Sequence, residues 1–207
     1  MGTAVTLKVL QQYLEDFGWT KFTAVDEPYE REGLIFTGYI DEQHRRHEIV
    51  IDPIVEKGVL RIFAPRVVMA PREKTPQDRL FELLLALGTL NTVSVLASFA
   101  YDPSDGEVKI AVAMPIEEND ISFEQFKRAL EAVIWGISTY GEGFQEIVDG
   151  KAKADDVVKR EAAPPVAALA ALMGLLHELE RRVRSSEGTK ADEDEEAEEE
   201  DKDTDEE

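Results

Sequence analysis

Three histidines are the side chains of this sequence best suited to acid–base chemistry or metal binding. His44 and His47 lie three residues apart where a predicted strand begins, and strand alternation places their side chains on opposite faces. We therefore expect a solvated pair near a turn and no shared metal ion. His177 stands beside Glu178 and Glu180 on a predicted helix, and we expect it at the surface.

A group of acidic residues near position 105 is the other arrangement that could hold a metal. Asp102, Asp105 and Glu107 lack the ligand spacing of a calcium loop, and the sequence DPSDGE is typical of a hairpin turn. There is no cysteine, no glycine-rich phosphate loop and no HExxH or GxSxG motif. We therefore predict no catalytic residue, no cofactor site and no metal site. An enzyme of unrecognised type remains the alternative, which a deep polar pocket with convergent ionisable groups would favour.

The charge of the chain restricts its partners. The net charge is −21, and residues 187–207 hold fourteen acidic residues and two lysines. Such a chain repels phosphate backbones and anionic membranes, so we expect no direct binding to nucleic acid or to membranes. The lack of cysteine fits a reducing compartment, and we predict a cytoplasmic protein.

Apolar spacing predicts an α+β fold in the first 148 residues. The predicted elements, in chain order, are a helix over 5–17, strands over 34–40, 46–52 and 59–64, a helix from Pro76 to about Leu87, strands over 93–101 and 108–114, and a long helix from Ser122. Thr75 is the expected N-cap of the second helix, and Gly88 with Asn91 its stop signal. The order α-β-β-β-α-β-β-α with short connections favours one antiparallel five-stranded sheet with helices packed on it.

Three further segments follow this domain. Residues 149–163 are charged and alanine-rich and are predicted to form a linker. Residues 164–186 are predicted to form an amphipathic helix that begins at two prolines. Residues 187–207 form a run of like charge without apolar periodicity, and we expect a disordered tail.

The element order and three stretches of sequence resemble the YbjN-like family, within the type III secretion chaperone fold. The stretches are the strand block ending in VLRIFAPRV, the segment LLLALGTLNTVSVLASFAYDPSDGEVKIAVAMPI, and the long helix that begins at Ser122. The resemblance implies a dimeric protein-binding module without a cofactor. YbjN-like proteins are also described as regulators of sensory transduction.

The second helix carries more apolar residues than one buried face requires. Because it is apolar all round, something must cover both sides of it, and a second copy of the chain would do so. We predict a homodimer interface on this helix and on the following strand, formed by Leu83, Leu84, Leu87, Val95, Ala97 and Phe99. Cover from the segment after Pro165 is the alternative.

The predicted C-terminal helix has its own apolar side. Its members are Leu169, Leu172, Met173, Leu176 and Leu179. This side either docks on the same chain, where it would compete with a partner, or binds the partner itself.

We therefore predict a non-catalytic protein-binding module, chaperone-like or adaptor-like, that acts as a homodimer. Its further protein partner is unknown, and the acidic surface favours a basic one. The alternative is a regulatory protein whose acidic tail contacts a basic partner.

Overall fold

The computed structural model describes residues 3–25, 33–116 and 120–160. Its strands are β1 (Thr3–Ala4), β2 (Thr23–Val25), β3 (Leu34–Ile40), β4 (Arg46–Ile54), β5 (Val59–Met69), β6 (Ser98–Tyr101), β7 (Glu107–Pro115) and β8 (Asp120–Ile121). Its helices are α1 (Leu7–Asp16), α2 (Gln77–Val93), α3 (Phe123–Asp149) and α4 (Ala154–Val158), with a 3₁₀ turn at Val55–Lys57.

One antiparallel sheet organises these elements in the order β2-β3-β4-β5-β7-β6. The α+β class and the antiparallel pairing are confirmed, but the predicted count of five strands is wrong. The sixth strand is β2, which pairs with the start of β3. Strands β1 and β8 form a separate two-stranded pair.

The core lies between one face of the sheet and the long helix α3. Ser122 caps α3 through the predicted capping box, in which its hydroxyl accepts from the backbone N–H of Gln125. The predicted apolar face of α3 is buried from its first turn to its last, including Phe126, Leu130, Val133, Ile137, Tyr140, Phe144 and Ile147. Helix α3 packs on β5 and β7, and α2 lies beside it against β6.

Helix α2 starts and ends differently from the prediction. Pro76 is its N-cap residue, whereas the expected cap, Thr75, is buried and makes no capping bond. The helix continues past Gly88 to Val93, because buried Leu90 extends its packed side by another turn. Val93 is therefore the last residue of α2, and of the strand predicted over 93–101 only β6 is a strand in the structure.

Strand β5 is longer than predicted. Strand β5 continues to Met69 through a register shift between Ala64 and Val68, where Arg66 has a φ of 50°. A β-bulge of this kind has no simple alternation, and the strand therefore looked shorter in sequence.

The predicted linker, residues 149–163, instead contains helix α4. Its Ala154 and Val157 are buried, and Val157 packs on α3 where Gly143 leaves room for it. The backbone N–H of Ala154 donates to Glu82 Oε2 of α2 over 2.9 Å. The packed body thus continues through the last described residue, Arg160, which is ion-paired with Glu146.

Candidate protein-interaction site

Helix α2 has an inner and an outer side, and both are apolar. Leu83, Ala86, Leu87 and Leu90 are buried on the inner side. Helical spacing places Phe81, Leu84 and Leu85 on the outer side, where they are 65%, 45% and 46% exposed. Helix α2 is therefore apolar on both its inner and its outer side, and the described chain covers only the inner side.

The outer side of α2 continues into the bend that follows the helix. Val95 is fully exposed there and Leu96 is 44% exposed. We call the following set the α2 patch: Phe81, Leu84, Leu85, Gly88, Thr92, Val95 and Leu96. Its five large side chains present about 500 Å² of apolar surface, if a fully exposed one presents roughly 150–200 Å². That is as large as the largest apolar patch of a typical monomer, roughly 300–600 Å², and such patches often mark contact sites.

Gly88 lies in the middle of the α2 patch with open space above it. Apart from its two chain neighbours and the backbone of its own helix, a Cβ atom built at this position would have no heavy atom of the described residues within 4 Å. A glycine inside a helix costs about 1 kcal/mol relative to alanine, and nothing in the described chain needs this one to be small. A glycine here would let another backbone approach α2 closely.

The structure divides the six residues predicted for a dimer interface into two groups. Leu84 and Val95 are exposed, whereas the other four are buried within one chain: Leu83, Leu87, Ala97 and Phe99. These four are core residues and are not available to a partner in this structure. Sequence reasoning missed Phe81, Leu85 and Leu96. Helical spacing from Leu83 and Leu87 places Phe81 and Leu85 outside once the inner side is known. Leu96 lies beyond the end of α2, so this spacing does not apply to it.

The opposite face of the sheet is half-polar. Phe63 of β5 lies beside Val50 of β4, and the guanidinium of Arg61 stacks over the Phe63 ring at 4.8 Å. Arg61 also pairs with Asp52, which is only 1% exposed. Asp52 Oδ1 and Arg61 Nε have no hydrogen-bond partner within the structure. Because Asp52 is buried and Arg61 is half-exposed, this ion pair is costly to break but is weak evidence of a binding site.

A cleft of about 500 Å³ lies at the β2–β4 end of the sheet. Its lining residues are Lys21, Phe22, Thr23, Phe36, Thr37, Arg46 and Glu48. The Thr37 hydroxyl donates to the carbonyl oxygen of Lys21, and Glu48 is ion-paired with Arg66. These two polar groups thus serve to hold the sheet and its turns together.

His47 is not solvated, contrary to the prediction, because it helps to hold the β3–β4 turn. Its Nε2 donates to Asp41 Oδ2 over 2.9 Å, and Arg45 Nε donates to the same oxygen over 2.7 Å. The backbone N–H groups of Gln43 and Arg45 donate to Asp41 Oδ1. Burial alone would raise the pKa of Asp41, but the hydrogen bonds from His47 and Arg45 lower it from 3.8 to about 2. His44 stays exposed in the turn.

The acidic group near position 105 forms the predicted hairpin turn between β6 and β7. Carboxylate oxygens of Asp102, Asp105 and Glu107 lie within 4.8 Å of one another. Asp102 Oδ1 accepts hydrogen bonds from the backbone and hydroxyl of Ser104, and these bonds lower the pKa of Asp102. Asp105 accepts from the backbone N–H of Glu107, and Glu107 pairs with Lys109. The carboxylates are thus occupied by the turn, and the cluster carries no metal assignment.

The predicted C-terminal contact residues lie outside the described residues, as do His177 and the acidic tail. They are Leu169, Leu172, Met173, Leu176 and Leu179. None of the helices that the structure describes combines the length and the hydropathy needed to cross a bilayer.

No protein-family model and no curated protein matches the chain. The resemblance to the YbjN-like family therefore stays a prediction.

Three solved structures are partly similar to the chain. The first is a chain of the HopA1–SchA chaperone–effector complex, at 13% identity and a TM-score of 0.42, over 67% of this chain and 91% of that one. A chain of the ExsC–ExsE complex matches at 13% identity and a TM-score of 0.44, over 70% and 97%. The third belongs to the heterodimeric ExoU–SpcU complex of the type III secretion system of Pseudomonas aeruginosa, at 14% identity and a TM-score of 0.35, over 68% and 95%. The likeness is partial, and the proposed function rests on the chain's own surfaces.

Proposed function

We propose that this protein is a non-catalytic protein-binding module, chaperone-like or adaptor-like, that acts as a homodimer. The supporting observation is the α2 patch, in which large apolar side chains stand exposed around a glycine. Apolar surface of this kind is removed from water when a protein partner covers it.

The size of the α2 patch fits contact with a second copy. A standard interface buries about 800 Å² on each partner, with an apolar centre and a polar rim. The patch supplies about 500 Å² of that as apolar centre, taking roughly 150–200 Å² for each fully exposed large side chain. Polar residues beside it on α2, such as Gln77, would form the rim.

The charges of α2 also permit two copies of this helix to meet. Of its three charged residues, Arg79 donates to the carbonyl oxygen of Val148 over 3.0 Å, and Glu82 accepts from the backbone of Ala154. Within the described part of the chain, only Asp78, in the first turn, is exposed without such a bond. A two-fold contact repeats every charge, so an outer side with few charges avoids like-charge repulsion.

The proposed dimer therefore brings two α2 helices together near Gly88. Each glycine would admit the backbone of the other helix, and Leu84 and Leu85 would pack against the α2 patch of the second copy. This interface keeps Leu84 and Val95 of the predicted set and replaces the four core residues with outer neighbours. A further protein partner, which the acidic composition favours as basic, would bind the assembled dimer.

Light scattering on the full chain at micromolar concentration tests the proposal. We expect the wild-type mass to be twice that of one chain. Leu85→Glu should give single chains that keep the wild-type circular dichroism spectrum, because two buried, unpaired carboxylates would oppose the contact. Ile40→Glu is the matched control, since Ile40 is a large apolar residue with 63% exposure on a distant strand. A single-chain mass for the wild type, or equal effects of the two variants, would refute the proposal.

A further inference from the structure

The edge of the sheet at β6 carries an unusual side-chain contact. Among the strands that the structure describes, β6 is the last in the sheet order, and β7 is its one strand neighbour. An edge strand normally presents unpaired N–H and C=O groups that can bond an additional strand. In β6, the N–H of Phe99 donates to Asn91 Oδ1 over 2.8 Å, and Asn91 Nδ2 donates to the carbonyl oxygen of Phe99, also over 2.8 Å.

The amide of Asn91 therefore occupies the place of a neighbouring strand. In an antiparallel pair, alternate residues direct both backbone groups either toward the partner strand or away from it. Phe99 lies opposite Ile110, and because both its groups bond Asn91, they point away from β7. They are the groups that an added strand would bond.

A second side chain closes the next position along this edge. The hydroxyl of Ser94 donates to the carbonyl oxygen of Ala97 over 2.6 Å. Asn91 and Ser94 both belong to the end of α2, so the helix that carries the apolar patch also covers the backbone of the edge strand. The opposite edge of the sheet is the three-residue strand β2, which offers little length for pairing.

From this geometry we infer that Asn91 closes the β6 edge to strand addition, whether by a second copy or by an extended peptide. Contacts with partners are thereby restricted to side chains such as those of the α2 patch. This role of Asn91 goes beyond the proposed dimer, because its two bonds to Phe99 lie within one chain and protect the β6 edge of a single copy as well. Asn91 thus determines which kind of contact the chain can make. This role explains why a polar residue occupies position 91, which lies inside α2 and not at its end.

Removal of the amide should open the edge. In Asn91→Ala, the N–H and C=O of Phe99 lose their partners, and two β6 edges can pair antiparallel into one continuous sheet. We expect the Phe99 amide to exchange with solvent at least tenfold faster in the unassociated variant. We also expect light scattering to show a concentration-dependent rise in mass above that of the wild type. Thr89→Ala is the matched control, since it removes a hydroxyl bond on the same helix without touching β6.

A rescue separates edge pairing from aggregation of unfolded chains. Lysine on an edge strand opposes strand addition, so Ala100→Lys, placed on the exposed side of β6, should restore the wild-type mass in the Asn91→Ala chain. Asn91→Leu, of similar size and a stronger helix former, gives the same test if the alanine variant folds poorly. The inference is overturned if neither variant changes the mass and the Phe99 exchange rate, or if Ala100→Lys fails to suppress the larger species. The same variants should also be measured in chains that carry Leu85→Glu, which is expected to prevent the proposed dimer. The effect of Asn91 on the β6 edge is then observed independently of that dimer.

Discussion

Replacement of Asp41 by asparagine should destabilise the domain by an amount that depends on pH. The carboxylate receives four hydrogen bonds, from the backbone of Gln43 and Arg45 and from the side chains of Arg45 and His47. Burial alone would raise the pKa of this carboxyl, but the bonds from His47 and Arg45 lower it from 3.8 to about 2. A shift of this size corresponds to about 2 kcal/mol of folding free energy, because each pKa unit is worth about 1.4 kcal/mol.

The sign follows from the direction of the shift. Because the pKa of Asp41 is lower in the folded state, its contribution is complete above about pH 4 and disappears as the pH falls toward 2. Asp41→Asn should thus cost about 2 kcal/mol at pH 7 but only about 1 kcal/mol at pH 3. Urea unfolding of both chains at several pH values measures the difference. Glu42→Gln, at the exposed neighbouring position, should cost little at any pH. A loss that stays constant from pH 7 to pH 3 would refute the electrostatic explanation.

Three further changes test the packing and the segment organisation. Gly106→Ala should lower the free energy of unfolding in urea by several kcal/mol, because φ at this position is +81° and a Cβ would lie 2.4 Å from the backbone of Pro71. Gly18→Ala is the control: it is also at positive φ but in open space, and it should cost only about 1 kcal/mol. Val157→Ala should cost about 2 kcal/mol, since this side chain is completely buried, and a negligible loss would show that α4 is a linker after all. A chain that ends at Ala163 should unfold at nearly the wild-type temperature and bind partners more tightly if the predicted C-terminal helix competes for their site. If the shortened chain no longer binds its partners, the predicted C-terminal helix is itself the binding element. If the shortened chain is unfolded, that helix is part of the hydrophobic core.

Elements with a strong local signal could be predicted from sequence. The capping box at Ser122 and the apolar face that runs from Phe126 to Ile147 specify α3 without reference to other parts of the chain. The turn sequence around Asp102 likewise specified a hairpin, because its carboxylates satisfy backbone groups within the turn itself.

Elements that depend on tertiary packing could not be predicted. Gly88 and Asn91 are ordinary signals for the end of a helix, yet packing of Leu90 carries α2 past them. The bonds of Asn91 to Phe99 join residues eight positions apart through the fold, and no local pattern reveals them. Helix α4 has five residues, which is too short for apolar periodicity to be visible.

The contact residues of the candidate site were only partly predictable for a related reason. A helix that is apolar on every side gives no indication of which side faces its own sheet. Leu83 and Leu84 are adjacent and chemically identical, and only the fold shows that the first is core and the second surface.

Disulfide trapping tests the central claim, contact between two copies through the α2 patch, most directly. The described chain has no cysteine to interfere, nor has the rest of the sequence. Leu85→Cys and Thr92→Cys each place one thiol in the patch, and Glu124→Cys places one on the exposed side of α3. A disulfide needs Cα atoms within roughly 7 Å, so it forms rapidly only where the two copies meet. Mild oxidation should link chains of at least one patch variant and leave the Glu124→Cys chain unlinked. Equal linkage of all three variants, or none in either patch variant, would contradict the proposed interface.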